Sequence, residues 1–187
     1  MTRYIAFLRA INVGGHTVKM DELRGLFGAM GFTGVETFIA SGNVIFRCDD
    51  ALYPNAAALQ PLIEHELQQA LGYEVATFLR TDVAVAAIAR YAPFPAPVMA
   101  AAGALNVAFL YEPLTGDEEE RIMTLRTAID DFHVNGSEVY WLCQTKQSQS
   151  TFSNVVFERT VGRRATFRGM NTVQRLAARY SPEPGDF

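Results

Sequence analysis

Two stretches of this chain run through the same order of strand and helix signals. The turn at Gly42 answers to Gly136 at an offset of 94 residues, and Cys48 answers to Cys143 at an offset of 95. Elements that recur at a fixed spacing mark an internal repeat even where residue identity is faint. A fold for this sequence therefore has to accommodate two similar units.

In the first stretch, Tyr4 to Leu8 is an apolar run short enough to be a buried strand. Asn12 to His16 is loop chemistry around paired glycines. Met20, Leu23, Leu26, Phe27 and Met30 then share one helical face, with Gly31 as the stop. Val35 to Ile39 and Val44 to Phe46 read as strands joined through Ala40-Ser41-Gly42-Asn43. Leu59, Leu62, Ile63, Leu67, Ala70 and Leu71 make a second helical face ended by Gly72. Proline clashes inside a helix, which puts the start of that helix just before Pro61 rather than at Asn55. Glu74 to Leu79 closes the set as a strand.

Thr81 caps a short Ala-rich helix to about Tyr91, and the uncharged Pro- and Ala-rich residues from Ala92 to Gly103 read as a connector. The order then repeats. Val107 to Tyr111 is a strand, and Leu114 to Asp131 holds a helix with Ile122, Leu125 and Ile129 inward. Phe132 to Val134 and Val139 to Cys143 form a hairpin about Asn135-Gly136. A helix over Ser153 to Val161, a strand over Ala165 to Arg168 and a helix over Thr172 to Tyr180 follow.

The expected fold is α+β, a tandem duplication of a ferredoxin-like βαββαβ unit. Residues 1–80 form the first repeat, 81–104 a short helix and connector, and 105–187 the second repeat with a C-terminal helix. Several strands are apolar on consecutive residues, so both sheet faces need cover. Two units packed together, or a homodimer, would supply it.

At 187 residues, 49% apolar and 19% charged, the chain has the composition of a globular protein. A net charge of -4 argues against a general nucleic-acid coat, and two cysteines are too few for a disulfide scaffold. No run approaches the ~18 apolar residues that cross a bilayer. The N-terminal apolar run is closed by Arg9 and is too short for a secretory signal. The expected location is the cytoplasm, with no membrane partner.

Phe7-Leu8-Arg9-Ala10-Ile11-Asn12-Val13-Gly14-Gly15, then Lys19-Met20 and Leu23, then Ser41-Gly42-Asn43-Val44 resemble the bacterial domain-of-unknown-function family 1697. Arg80-Thr81, Pro93-Phe94 and the segment from Thr166 to Val173 extend the resemblance. It implies a two-repeat α+β structure and carries no settled activity. The chain departs from the family pattern where Gly169 and Met170 replace an Asn-Trp pair, and where Asn154 stands for a lysine. A site built on those family residues would be altered here.

The residues that suggest chemistry are Arg9, Asn12, Gly14, Gly15, Lys19, Ser41 and Asn43, gathered on loops at the end of the first strand. Cations beside a helix start favour phosphate or carboxylate, and the glycine pair lets backbone approach a ligand. Arg168, at a strand end and within the family motif, is the contribution expected from the second repeat. The structural reading of the same residues is a shaped turn, a bulge and an ion pair. A P-loop is excluded because its lysine–hydroxyl ending is missing.

From Arg159 to Arg179 there are six arginines and no acid, while Glu112 to Glu138 carries eight acids and two arginines. The asymmetry suggests either nucleic-acid binding or internal charge pairing. His16, His65 and His133 lack zinc-ligand spacing, so neither a metal nor a cofactor is expected. Three functions follow. The first is binding of a small anionic ligand at the N-terminal cluster, with or without catalysis. The alternatives are a nucleic-acid module using the arginines and a non-catalytic interaction protein.

Overall fold

The computed structural model describes residues 1–12, 15–39 and 42–182. Among them are eight strands and seven α-helices, in an α+β arrangement with two four-stranded antiparallel sheets. By packing, the chain divides into Met1–Ala86 with the segment from Leu176 onward, and Ala87–Arg175.

In the first unit, β1 (Thr2–Leu8), β2 (Thr33–Thr37), β3 (Asn43–Cys48) and β4 (Thr77–Thr81) form a sheet ordered β2-β3-β1-β4. Helices α1 (Met20–Ala29) and α2 (Ala56–Leu71) cover one face. Ala6, Leu8, Val44 and Phe46 meet Leu23 and Phe27 of α1 and Leu59, Ile63 and Leu67 of α2. Phe46 is boxed by Phe27 and Phe32, with ring centroids 5.3 and 4.5 Å away. Burying side chains of this size contributes about 1.5–3 kcal/mol each. Ile5, Phe7, Ile45 and Phe78, on the opposite face, are buried as well.

Helix α2 starts earlier than the sequence suggests. Asn55 caps it, accepting the Ala58 N–H at 3.0 Å, and Pro61 lies inside. The proline removes only the bond to the Ala57 carbonyl, and both residues are exposed, so the loss falls on the solvent-facing side of the helix. Glu64 of α2 accepts the Thr77 N–H at 2.7 Å and so fixes the helix to the start of β4.

Helix α3 (Asp82–Arg90) follows β4 directly, and the Thr81 hydroxyl accepts the Ala84 N–H at 3.1 Å. The stretch read as a connector holds a helix, α4 (Ala96–Ala101), begun by Pro95. Alanine has the highest helix propensity, and proline is tolerated in the first turn.

The second unit repeats the order. Strands β5 (Ala104–Phe109), β6 (Asp130–Asn135), β7 (Glu138–Cys143) and β8 (Thr166–Gly169) form a sheet ordered β6-β7-β5-β8. Helices α5 (Gly116–Met123) and α6 (Asn154–Val161) contribute Ile122, Phe157 and Val161 to a core with Ala108, Val139 and Trp141. The last helix is α7 (Met170–Arg179). Cys48 pairs with Thr2 and Cys143 with Ala104, so each cysteine ends its strand opposite the start of the first strand of its sheet.

Helix α5 ends at Met123 and does not run on to Asp131 as the apolar spacing suggests. The Thr127 hydroxyl accepts the Ile129 and Asp130 N–H groups at 3.2 and 3.0 Å and donates to the Asp130 carboxylate at 2.9 Å. Threonine competes in this way with helical bonding and turns the chain into β6. Asp130 is buried and also takes the Trp141 indole N–H at 2.8 Å and the Ser150 hydroxyl.

Candidate functional site

The C-terminal end of β1 is held from both sides. The Leu8 N–H donates to Gly42 O and the Arg9 N–H to Ala76 O, each at 2.8 Å. The chain then turns sharply at Ala10, with φ at 57°, and buries Ile11. The Ile11 carbonyl accepts the Tyr73 hydroxyl at 3.0 Å. The Asn12 side chain accepts the Val18 N–H at 2.7 Å, which closes the loop into α1. Gly15 has φ at 88°, where a side chain would be strained.

The β2–β3 connection lies against this loop. Ile39 has φ at 50° and Gly42 has φ at 70°. A Cβ on Gly42 would stand 2.9 Å from Ile11 Cγ2 and 3.2 Å from Leu8 Cβ. Asn43 is fully buried, and its Nδ2 donates to the Phe38 carbonyl at 3.0 Å. The Phe38 N–H returns a bond of 3.0 Å to Asn43 O. Among the described residues, Ala10 and Ile39 are the two non-glycine residues at positive φ, and each stands in one of these abutting loops.

The structure thus gathers Arg9, Asn12, Gly15, Lys19 and Asn43 about the end of β1. Asn12 and Asn43 spend their side chains on backbone, so they build the loops. Lys19 is exposed and precedes α1 without capping it, and Arg9 is half-buried. Asp21 and Glu22 occupy the first turn of α1 and reduce the positive field there. Gly14 and Ser41 lie outside the described residues. Arg168 lies in the second unit, where its Nη1 donates to Thr166 Oγ1 and the Phe167 carbonyl, both at 2.9 Å. Burial pushes its guanidinium down to about 10.

Sequence reasoning missed His16 and Tyr73. The exposed imidazole stacks on the Tyr73 ring with centroids 3.9 Å apart and planes 22° from parallel. The pair depends on α2 returning Tyr73 to the loop, so no local spacing signals it.

The arginine-rich segment is partly committed to protein partners. Arg163 Nε donates to Glu118 Oε1 at 2.7 Å and Arg163 Nη2 to Glu118 Oε2 at 3.3 Å. Arg179 pairs with Glu36 at 3.0 Å. Among the described residues no group of three or more His, Cys, Asp or Glu side chains is placed to hold a metal ion. No described helix is long and apolar enough to cross a membrane.

The family described as "Protein of unknown function (DUF1697)" matches residues 1–140. The chain belongs to this family. The family match takes in the whole loop cluster at the end of β1 and ends before Arg168. The chain is also similar in structure to the conserved bacterial protein SP0830 from Streptococcus pneumoniae. The two are 22% identical with a TM-score of 0.71, over 97% of this chain and 99% of the other. At that identity the likeness speaks for the fold alone. No curated protein matches the chain.

Proposed function

We propose that this DUF1697 member binds a small ligand bearing a phosphate or carboxylate at the end of β1, in the bacterial cytoplasm. The observation that carries the reading is the convergence of two loops whose backbones hold Ala10 and Ile39 at positive φ. Non-glycine residues in that region cost of order 1–3 kcal/mol each and cluster where function needs them. Arg9 and Lys19 supply the positive charge, Gly15 a close backbone approach, and Asn12 and Asn43 the scaffold. The proposal is one of binding, with no reaction assigned. The reading draws its charge from Arg9 and Lys19; Arg168 also donates to Thr166 Oγ1 and to the Phe167 carbonyl in the second unit.

The two units we further infer to be a tandem duplication of a ferredoxin-like unit. The support is the shared strand order and the matching register of Cys48 and Cys143.

A thermal-shift series with inorganic phosphate, pyrophosphate, acetate and citrate tests the site. A ligand at one hundred times its dissociation constant adds about 2.7 kcal/mol. For a chain of this length that raises the midpoint by roughly 5–10 °C. The gain should vanish in Lys19→Ala. A gain untouched by Lys19→Ala and Arg9→Ala, or none with any anion, contradicts the reading. Nucleic-acid binding ranks behind it, since Arg163 and Arg179 already pair with carboxylates.

A further inference from the structure

The segment leading into α1 carries two exposed side chains of different chemistry, His16 and Lys19. Among the described residues, neither the His16 ring nitrogens nor the Lys19 ammonium has a hydrogen-bond or ion-pair partner. What holds the imidazole is its stack on Tyr73, with ring centroids 3.9 Å apart and planes 22° from parallel. Tyr73 is a fixed support: its ring packs against the apolar core of the first unit, and its hydroxyl donates to the Ile11 carbonyl at 3.0 Å. The Asn12 side chain, accepting the Val18 N–H at 2.7 Å, ties down the segment between His16 and Lys19. One face of the imidazole therefore lies on Tyr73, and the other is turned to solvent as a flat platform.

Planar bases stack on such rings, and each stack contributes roughly 5- to 150-fold in affinity. Lys19 follows three residues later, its Cα no more than about 11 Å from that of His16. Asp21, the nearest acid along the chain, is paired with Arg24 and leaves the lysine to a ligand. We propose that the ligand at this end of β1 is a nucleoside monophosphate, its base stacked on the outer face of His16 and its phosphate on Lys19. The inference rests on the anion-binding reading above and adds the ring that the anion carries. An ammonium is a point charge that attracts a phosphate without orienting it, so the stack supplies the orientation. Stacking reads a flat surface rather than a hydrogen-bond pattern, so the site tolerates different bases.

Isothermal titration of the full chain with adenosine monophosphate and cytidine monophosphate tests the inference. Ribose 5-phosphate, which lacks the base, and adenosine, which lacks the phosphate, are the partial probes. Adenosine monophosphate should bind about tenfold or more tightly than ribose 5-phosphate. In His16→Ala the two should bind alike, whereas His16→Phe, which keeps a flat ring, should retain most of the difference. Lys19→Ala should weaken both phosphates. Equal binding of the two phosphates by the unmodified chain, lost in Lys19→Ala, would overturn the platform and leave the anion reading standing. Adenosine binding as tightly as its monophosphate would overturn the phosphate's part in the site. Adenosine monophosphate binding untouched by His16→Ala would place the base elsewhere and overturn the inference. No binding of either phosphate would overturn the anion reading and the inference together.

Discussion

Gly42 and Ile11 are in contact so close that position 42 admits no side chain: a Cβ there would lie 2.9 Å from Ile11 Cγ2. Gly42 also has φ at 70°, which L-residues adopt only at a cost of roughly 1–2 kcal/mol. Overpacking adds about 1–3 kcal/mol. Gly42→Ala is therefore expected to lower stability by about 2–5 kcal/mol in urea unfolding. Ile11→Ala in the same chain should recover the steric part but not the backbone part. Strictly additive losses in that double-mutant cycle would refute the contact.

Asp130 holds three donors, the Trp141 indole and the Thr127 and Ser150 hydroxyls. Removing a buried acceptor leaves its donors unpaired at about 1–3 kcal/mol each. Asp130→Ala should cost at least about 2 kcal/mol, and more than Ser150→Ala alone, by denaturant unfolding. An Asp130→Ala chain as stable as the unmodified one would show that water replaces the carboxylate.

Glu118 titrates well below the ordinary carboxylate value of 4.5, at about 2, chiefly because Arg163 hydrogen-bonds its carboxylate, with the Thr115 N–H second. A carboxyl group whose folded value is depressed stabilises the fold above its unfolded value and loses that contribution as pH falls through the folded one. The advantage of the unmodified chain over Arg163→Met should be full at pH 6, shrink below about pH 4.5 and be gone near pH 2. Melting midpoints over that range check it. A gap independent of pH would mean that Arg163 acts through packing.

Asn106 is buried in β5, and its Nδ2 finds no acceptor among the described residues. Across the sheet stands Gly169, where an added Cβ would meet only Asn106 Oδ1, at 3.9 Å. Gly169→Ser therefore fits, restricts the unfolded chain and brings a hydroxyl toward the amide. It should raise stability by roughly 0.5–1.5 kcal/mol. Asn106→Leu should be neutral or stabilising, since it removes an unpaired group. A loss above about 1 kcal/mol in either variant, read by calorimetry, would contradict this account of the pair.

The strands and most helices were legible because their signals are local. The apolar run from Tyr4 to Leu8 is buried throughout β1, and Ser153 caps α6 by accepting the Val156 N–H. Gly136 turns the second hairpin at φ 60°, one residue later than the Asn-Gly pair suggests. What escaped notice depends on contacts between distant residues. Glu64 anchors the start of β4 across 13 residues of sequence, and the turn at Thr127 outcompetes an apolar helical pattern. The loop cluster was legible as a group, but the division of labour within it was not. Whether Asn43 faces a ligand or the Phe38 carbonyl depends on strand register, which its tetrapeptide does not encode.

The most direct test of anion binding at the end of β1 is a phosphate and citrate titration of the ¹⁵N-labelled chain, followed amide by amide. The account predicts saturable shifts confined to amides of residues 9–19 and of Gly42, abolished in Lys19→Ala. Shifts centred elsewhere, or none beyond those of a matched chloride titration, would contradict it.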